Sequence, residues 1–212
     1  MTALDNVVAD IMSALETKNK ARDKALTESR QIIRHAANAI RALHRGEYQT
    51  GEDHLRNGRS MVDTARADLR DHPDLYWAGY VQDSQKEIAE AYLVSAMIQG
   101  VPIPGPTDVG VEPAAYLNGL AEAASEMRRY ILDIIRKAGS SQMPEAERAL
   151  GLMDDVYTNL ITVDFPDAVT GGLRRTTDQL RAVLERTRGD LTMSLRQAEL
   201  ERALALRGAD IP

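Results

Sequence analysis

The sequence contains no cysteine and very few aromatic residues, with one tryptophan and one phenylalanine among 212 residues. Without cysteine the chain cannot form a disulfide, a thiolate metal site or a thiol nucleophile. None of the four histidines stands three residues after a glutamate, so the Glu-x-x-His signature of di-iron helical bundles is absent. Redox and di-iron chemistry of these kinds are therefore excluded.

Several other signals are also missing from the sequence. There is no glycine-rich phosphate loop of the GxxxxGK[ST] type and no nucleophile elbow. The first residues lack the basic and apolar regions of a signal peptide, and no run approaches the roughly 20 apolar residues of a membrane span. We expect a cytoplasmic protein with no membrane association. A net charge of −6 does not favour a DNA-coating protein, although it says nothing of one local face.

Proline and glycine are clustered, and between the clusters apolar residues recur at helical spacing. We expect an all-α protein, with residues 1–212 forming a single domain of about seven antiparallel helices. The segment 101–113, with four prolines and two glycines, is expected to contain no helix. The predicted helices cover residues 2–45, 52–69, 74–99, 114–137, 144–161, 173–188 and 190–207, with Asp190 as the N-cap of the last.

Two glutamates of the third long helix stand out. Residues 88–98 read IAEAYLVSAMI, which is apolar on every side and typical of a buried helix. Glu87 and Glu90 point roughly towards that core, where a carboxylate is costly unless it is paired or binds a metal. The alternative is that both lie at the polar start of the helix and meet an arginine or water.

The following helix carries a second acidic group. Glu122 and Glu126 are one turn apart and share a face. These two glutamates can simply be solvated. If the third and fourth long helices are neighbours, however, they lie close to Glu87 and Glu90. Glu87, Glu90, Glu122 and Glu126 then form a set of hard oxygen ligands suited to Mg²⁺ or Mn²⁺.

A basic stripe lies on the first helix. Its spacings of four, seven and four residues place the side chains within about 60° on a helical wheel. Such a stripe can follow a phosphate backbone, or it can be a solvated face paired with acids on a neighbour. Its members are Arg30, Arg34, Arg41 and Arg45. Aromatic residues that can stack on bases or fill the core are Tyr48, Tyr76, Trp77, Tyr80 and Tyr92.

Four stretches, in order along the chain, are similar to known sequences: ESRQIIRHAANAIRALHRGE (28–47), QKEIAEA (85–91), YLNGLAEAASEMRR (116–129) and LALRGADIP (204–212). The first resembles the first-helix signature of translin and of its partner, translin-associated factor X. The second and fourth resemble elements of the partner protein, and the third a block that both share. The chain thus resembles the translin superfamily, and translin-associated factor X most of all, as found in archaeal and prokaryotic translin-like proteins.

This resemblance implies a seven-helix protomer in a closed octamer that binds single-stranded RNA, or single-stranded DNA, inside. In the catalytic branch it also implies Mg²⁺-dependent endoribonuclease activity, with Glu87, Glu90 and Glu122 as catalytic residues. Glu126 matches a glutamate of both branches. The catalytic branch has aspartate where this chain has Glu122, while non-catalytic relatives have apolar residues there. The basic tract of translin at the start of the third helix has no counterpart in residues 75–85.

Two other functions fit the residues. A non-catalytic single-stranded RNA or DNA binder would use the same arginines and bind without metal. An all-α nucleotide pyrophosphohydrolase also holds Mg²⁺ with Glu-x-x-Glu and a second acidic pair, but it would hydrolyse free nucleoside triphosphates.

Overall fold

A computed structural model describes residues 2–137 and 142–209, and all of the regular structure in them is helical, as predicted. Residues 138–141 of the connection after Lys137, and residues 210–212 of the resemblance at 204–212, lie outside the described part. The helices are α1 (Ala3–His44), α2 (Tyr48–Asp68), α3 (Pro73–Tyr76), α4 (Gly79–Gln99), α5 (Pro106–Val109), α6 (Pro113–Lys137), α7 (Met143–Leu160), α8 (Asp167–Thr170) and α9 (Leu173–Ala209).

Nine helices occur in the described residues, where the sequence predicted about seven. The predicted helix over 74–99 is two helices, because Ala78 is extended, with φ −67° and ψ 145°, and separates α3 from α4. The segment 101–113 contains the short helix α5, which has proline in its first turn. Proline lacks only a backbone N–H that a first turn does not use, so it is compatible with such a helix.

The last two predicted helices are one continuous helix, α9. The predicted boundary falls at Gly189, but a glycine inside a helix costs only about 1 kcal/mol. Burial of Leu184 and Leu191 on either side of it offsets that cost. Asp190 is consequently not an N-cap. It lies within α9 and accepts a hydrogen bond from Arg128 of α6 at 2.7 Å.

The sequence predicted that neighbouring helices run antiparallel. One neighbouring pair, α4 and α6, does not. Gln85 near the start of α4 accepts a hydrogen bond from the backbone of Glu112, just before α6, at 2.8 Å. At the other end, Arg148 of α7 bonds both to the carbonyl of Met97 and to Glu145, which itself bonds Tyr130 of α6. Helices α4 and α6 therefore run parallel, because the connection 100–112 returns along the bundle.

The core lies around α4, as its uniformly apolar sequence predicted. Ile88, Leu93, Val94 and Met97 are all at most 1% exposed. They pack against a single buried cluster that draws residues from α1, α2, α6, α7 and α9. Among the described residues, no helix is both long and apolar enough to cross a membrane.

Candidate metal centre

Three glutamates from two helices converge near the middle of α4. Glu87 and Glu90 lie on α4 and Glu122 lies on α6, and one carboxylate oxygen from each is within 4.8 Å of the others. All three are partly buried. The structure thus brings together the three residues that the sequence singled out, across two parallel helices. We call this group the carboxylate cluster.

Close contact between α4 and α6 places the two sides of the carboxylate cluster within reach of each other. At Gly119 of α6, a Cβ atom would lie 2.7 Å from the carbonyl oxygen of Lys86 and 3.0 Å from the backbone nitrogen of Glu90. Real Cβ atoms do not approach backbone atoms this closely. Glycine is therefore required at this position to bring Glu122, one turn later, beside the glutamates of α4.

Crowding of negative charge perturbs Glu90. Burial, followed by the negative charges of Glu87 and Glu122, raises the pKa of Glu90 to about 8. Glu126 raises this pKa as well, while the positive charge of Lys86 lowers it. At neutral pH and without a counter-ion, Glu90 therefore holds a proton that a bound cation would displace.

Lys86 provides positive charge next to the carboxylate cluster. Its role was not predicted from the sequence. Its Nζ donates to both carboxylate oxygens of Glu122, at 2.6 and 2.8 Å, and lies 3.1 Å from Oε1 of Glu87. Burial lowers the pKa of Lys86, but the hydrogen bond and the charges of Glu122 and Glu87 outweigh burial and raise it. Its main partner, Glu122, is 36 positions further along the chain, so no spacing within α4 predicts this contact.

Glu126, the fourth predicted ligand, is engaged differently. Its Oε1 lies 2.8 Å from Nε2 of His44, whose side chain is only 2% exposed, and 3.7 Å from Arg129. Glu126 is not one of the three residues whose oxygens converge. It is close enough to affect the pKa of Glu90, and it ties the end of α1 to α6. His44 is a second residue of this region whose role was not predicted from the sequence.

The four predicted nucleic-acid-binding arginines are all exposed on α1. Arg45 is committed to Glu47 through two hydrogen bonds of 2.7 Å, and Arg41 bonds Asn38 at 2.6 Å. In the described part of the chain, neither Arg30 nor Arg34 forms an ion pair. Since His44 contacts Glu126, the end of α1 that carries Arg41 and Arg45 lies beside the carboxylate cluster.

The donor set fits a hard divalent cation. Carboxylate oxygens are the ligands that Mg²⁺ and Mn²⁺ prefer, and burial together with the neighbouring carboxylates raises the pKa of Glu90. Lys86 neutralises part of the cluster but is held by Glu122 and Glu87 rather than by Glu90. The residues present therefore fit a metal centre on Glu87, Glu90 and Glu122.

The fold belongs to a known class of all-helical protein. The arrangement of helices matches that of C3PO, a fold of the translin family. No protein-family model matches the chain.

Three solved structures and one protein sequence are similar to this chain. The structure of AfC3PO with duplex RNA superimposes with a TM-score of 0.82 at 29% identity, covering 90% of this chain and 97% of that one. A second structure of AfC3PO gives 0.81 with the same identity and coverage. Apo-NeC3PO gives 0.78 at 17% identity, over 92% and 98% of the two chains, which supports the fold alone. In sequence, the uncharacterized protein MJ0175 of Methanocaldococcus jannaschii is 27% identical over 195 residues, 92% of this chain and 85% of its own length.

Proposed function

We propose that this protein is a Mg²⁺-dependent endoribonuclease of the translin-associated factor X kind, which binds single-stranded RNA inside a closed homo-oligomer in the cytoplasm. The observation that supports this proposal is the convergence of Glu87, Glu90 and Glu122 within 4.8 Å. Three partly buried carboxylates in contact repel one another, and a divalent cation is a common reason for a fold to keep them together.

Each group of residues has a different role in the proposed reaction. Glu87, Glu90 and Glu122 would hold the cation, which when bound would supply an activated water molecule and positive charge at the attacked phosphate. Glu90 would be ionised in that state. Glu126 keeps His44 and the end of α1 in place, and the α1 arginines Arg30, Arg34, Arg41 and Arg45 contact the phosphates of the strand.

A second candidate function is non-catalytic RNA binding, and Lys86 is the observation that favours it. Its ammonium already contacts Glu122 and Glu87 at 2.6 and 3.1 Å, so the cluster can be partly neutralised without metal. The related AfC3PO is known in complex with duplex RNA, so the assay must include duplex as well as single-stranded substrates.

The test is cleavage of labelled single-stranded RNA, duplex RNA and single-stranded DNA by the purified full-length protein, in Mg²⁺ or in EDTA. We expect single-stranded RNA to be cut in Mg²⁺ only. Removing a metal ligand costs several kcal/mol of transition-state stabilisation, so Glu87→Gln, Glu90→Gln and Glu122→Gln should each lower the rate roughly 100-fold or more. Glu122→Asp, which keeps the carboxylate, should retain cleavage.

Asp133→Asn is the matched control. Asp133 lies on the same helix as Glu122 but outside the carboxylate cluster, paired with Arg136 at 2.9 Å and Lys137 at 3.7 Å. This variant should cut at the wild-type rate. Equal RNA binding in EDTA and in Mg²⁺ with no cleavage in either would establish the non-catalytic function instead. Hydrolysis of nucleoside triphosphates without cleavage of RNA would reject both.

A further inference from the structure

A cavity of about 640 Å³ opens beside the carboxylate cluster, between the starts of α4 and α6 and the junction of α8 with α9. Two of its lining residues are Lys86 and Glu122, so it is continuous with the candidate metal centre. Its volume falls in the range of small-molecule sites in proteins. A cavity of this volume can hold one nucleotide.

Trp77 lies at this cavity and is unusually exposed. It is the only tryptophan of the chain, it is 59% exposed, and it belongs to the two-residue link between α3 and α4. Tyr76 packs edge-on against its ring, with centroids 5.2 Å apart and an interplanar angle of 80°. An indole ring that is largely exposed and lines a cavity is a group on which a base can stack.

The neighbour that supports Trp77 is itself firmly held. The hydroxyl of Tyr76 donates to Glu112 at 2.6 Å and accepts hydrogen bonds from Arg66 and Gln85 at 3.2 and 3.3 Å. These partners come from α2, α4 and the connection before α6. The stacking surface is therefore fixed relative to the helices that carry the carboxylate cluster.

The opposite wall of the cavity supplies a free positive charge. Arg175, in the first turns of α9, lines the cavity and forms no ion pair within the described residues. Its neighbour Arg174 does not line the cavity and pairs with Asp164 at 3.5 Å. Asn118, deep in the cavity, is fully used in binding Ala114, Thr170 and Thr176, which fixes the wall on which Arg175 lies.

We propose that this cavity holds one unpaired nucleotide of the RNA strand next to the bond that is cut. The base stacks on Trp77, and the phosphate lies against Arg175 and Lys86, at the edge of the carboxylate cluster. Asp83, which also lines the cavity, is placed to accept a hydrogen bond from an amino group of the base. This inference rests on the proposed function, because it assigns the cavity to the same substrate.

The test uses the fluorescence of Trp77, which reports on this site alone because the chain has no other tryptophan. Adenosine 5′-monophosphate is titrated into the full-length protein in EDTA, so that neither metal nor cleavage is needed. We expect saturable quenching by the nucleotide and little quenching by ribose 5-phosphate, which lacks the base. Arg175→Ala should weaken binding of the nucleotide roughly tenfold, whereas Arg174→Ala should leave its affinity unchanged.

Variants of Trp77 have no tryptophan fluorescence, so they are tested by a second measurement. Binding of a labelled single-stranded oligoribonucleotide in EDTA is followed by anisotropy for Trp77→Ala and Trp77→Phe. Loss of one base–aromatic stack weakens binding roughly 5- to 150-fold, so the alanine variant should bind less well and the phenylalanine variant should recover most of the affinity.

The inference is overturned if the nucleotide does not quench Trp77, if ribose 5-phosphate quenches equally, or if Arg175→Ala and Arg174→Ala behave alike. Because these readouts need no catalysis, their failure is distinguishable from failure of the nuclease proposal. RNA cleavage that persists unchanged in Trp77→Ala would place the substrate elsewhere while leaving the metal centre intact.

Discussion

At the scale of single residues, the carboxylate cluster is governed by the balance between burial and charge. Burial raises the pKa of Glu90 to about 8, whereas an unfolded chain returns the group to its ordinary value near 4.5. Between pH 4.5 and about pH 8, Glu90 is protonated in the folded protein and ionised in the unfolded chain. The free energy of unfolding contributed by Glu90 is therefore greatest below pH 4.5 and is lost as the pH rises through 8.

We predict that Glu90→Gln stabilises the metal-free protein increasingly as the pH rises from about 5 to 8. Glutamine has no proton to lose, so it avoids the cost of a buried charge. Since a tenfold change in proton affinity is worth about 1.4 kcal/mol, the gain above pH 8 should be several degrees in Tm. Thermal unfolding in EDTA, monitored by circular dichroism across this pH range, measures it.

Saturating Mg²⁺ should reverse the order of the two proteins. Wild type gains stability because the cation binds only the folded state, while the glutamine variant has lost a ligand. Asp133→Asn again serves as the control, because its partners Arg136 and Lys137 lie outside the cluster. A Tm difference between Glu90→Gln and wild type that is the same at pH 5 and at pH 8.5 would contradict the assigned pKa of about 8.

At the scale of the helices, the separation of α4 and α6 decides whether the cluster forms. Gly119 permits the contact, because a Cβ atom there would lie 2.7 Å from the carbonyl oxygen of Lys86. The obstacle is backbone rather than a flexible side chain, so it cannot move aside without displacing a helix. Glu122, Lys86 and Glu90 would all shift with that displacement.

We predict that Gly119→Ala destabilises the protein by about 1–3 kcal/mol, as overpacking does in other cores, and also weakens metal binding and RNA cleavage. Gly151→Ala on α7 is the matched control, since nothing lies within 4 Å of a Cβ atom at that position. Removing a glycine from a helix interior there should stabilise by up to about 1 kcal/mol. Denaturant unfolding and Mn²⁺ calorimetry of the two variants check both effects. Similar behaviour of the two variants would show that α4 and α6 do not need this close contact.

At the scale of the whole molecule, two long helices expose apolar side chains that this chain does not cover. The first turns of α1 carry an exposed face made of Leu4, Val8, Ile11 and Leu15, from 46% to 68% exposed. The later part of α9 exposes Met193, Leu200, Leu204 and Leu206, from 59% to 72% exposed. Exposed apolar faces of this extent are typical of surfaces that other chains cover, as expected for a subunit of the proposed homo-oligomer.

We predict that replacing Val8, Ile11 and Leu15 together by glutamate lowers the mass of the assembly measured by light scattering. Each of these side chains contributes about 1.5–3 kcal/mol when fully buried, and charged replacements prevent that burial. The matched control replaces Asn6, Ser13 and Thr17 by glutamate, which adds the same charge on the opposite side of the helix. An unchanged mass for the first triple variant would exclude this face of α1 from the subunit contacts.

Much of this protein follows from its sequence alone. The all-α class and the bounds of α1, α6 and α7 are set by apolar periodicity and by the positions of proline and glycine, which act locally. The burial of the second half of α4 follows from the apolar stretch 88–98, in which Glu90 is the only charged residue. The same pattern identified Glu87 and Glu90, because a carboxylate within an apolar stretch is conspicuous without any coordinates.

Only the tertiary structure decided how these parts combine. The parallel course of α4 and α6, the continuity of α9 through Gly189, and the pairing of Lys86 with Glu122 depend on contacts between residues far apart in the chain. Local sequence patterns specify what each helix buries, but not which neighbour covers it. The close contact at Gly119 arises between α4 and α6, and the cavity at Trp77 also involves α8 and α9, so packing alone determines both.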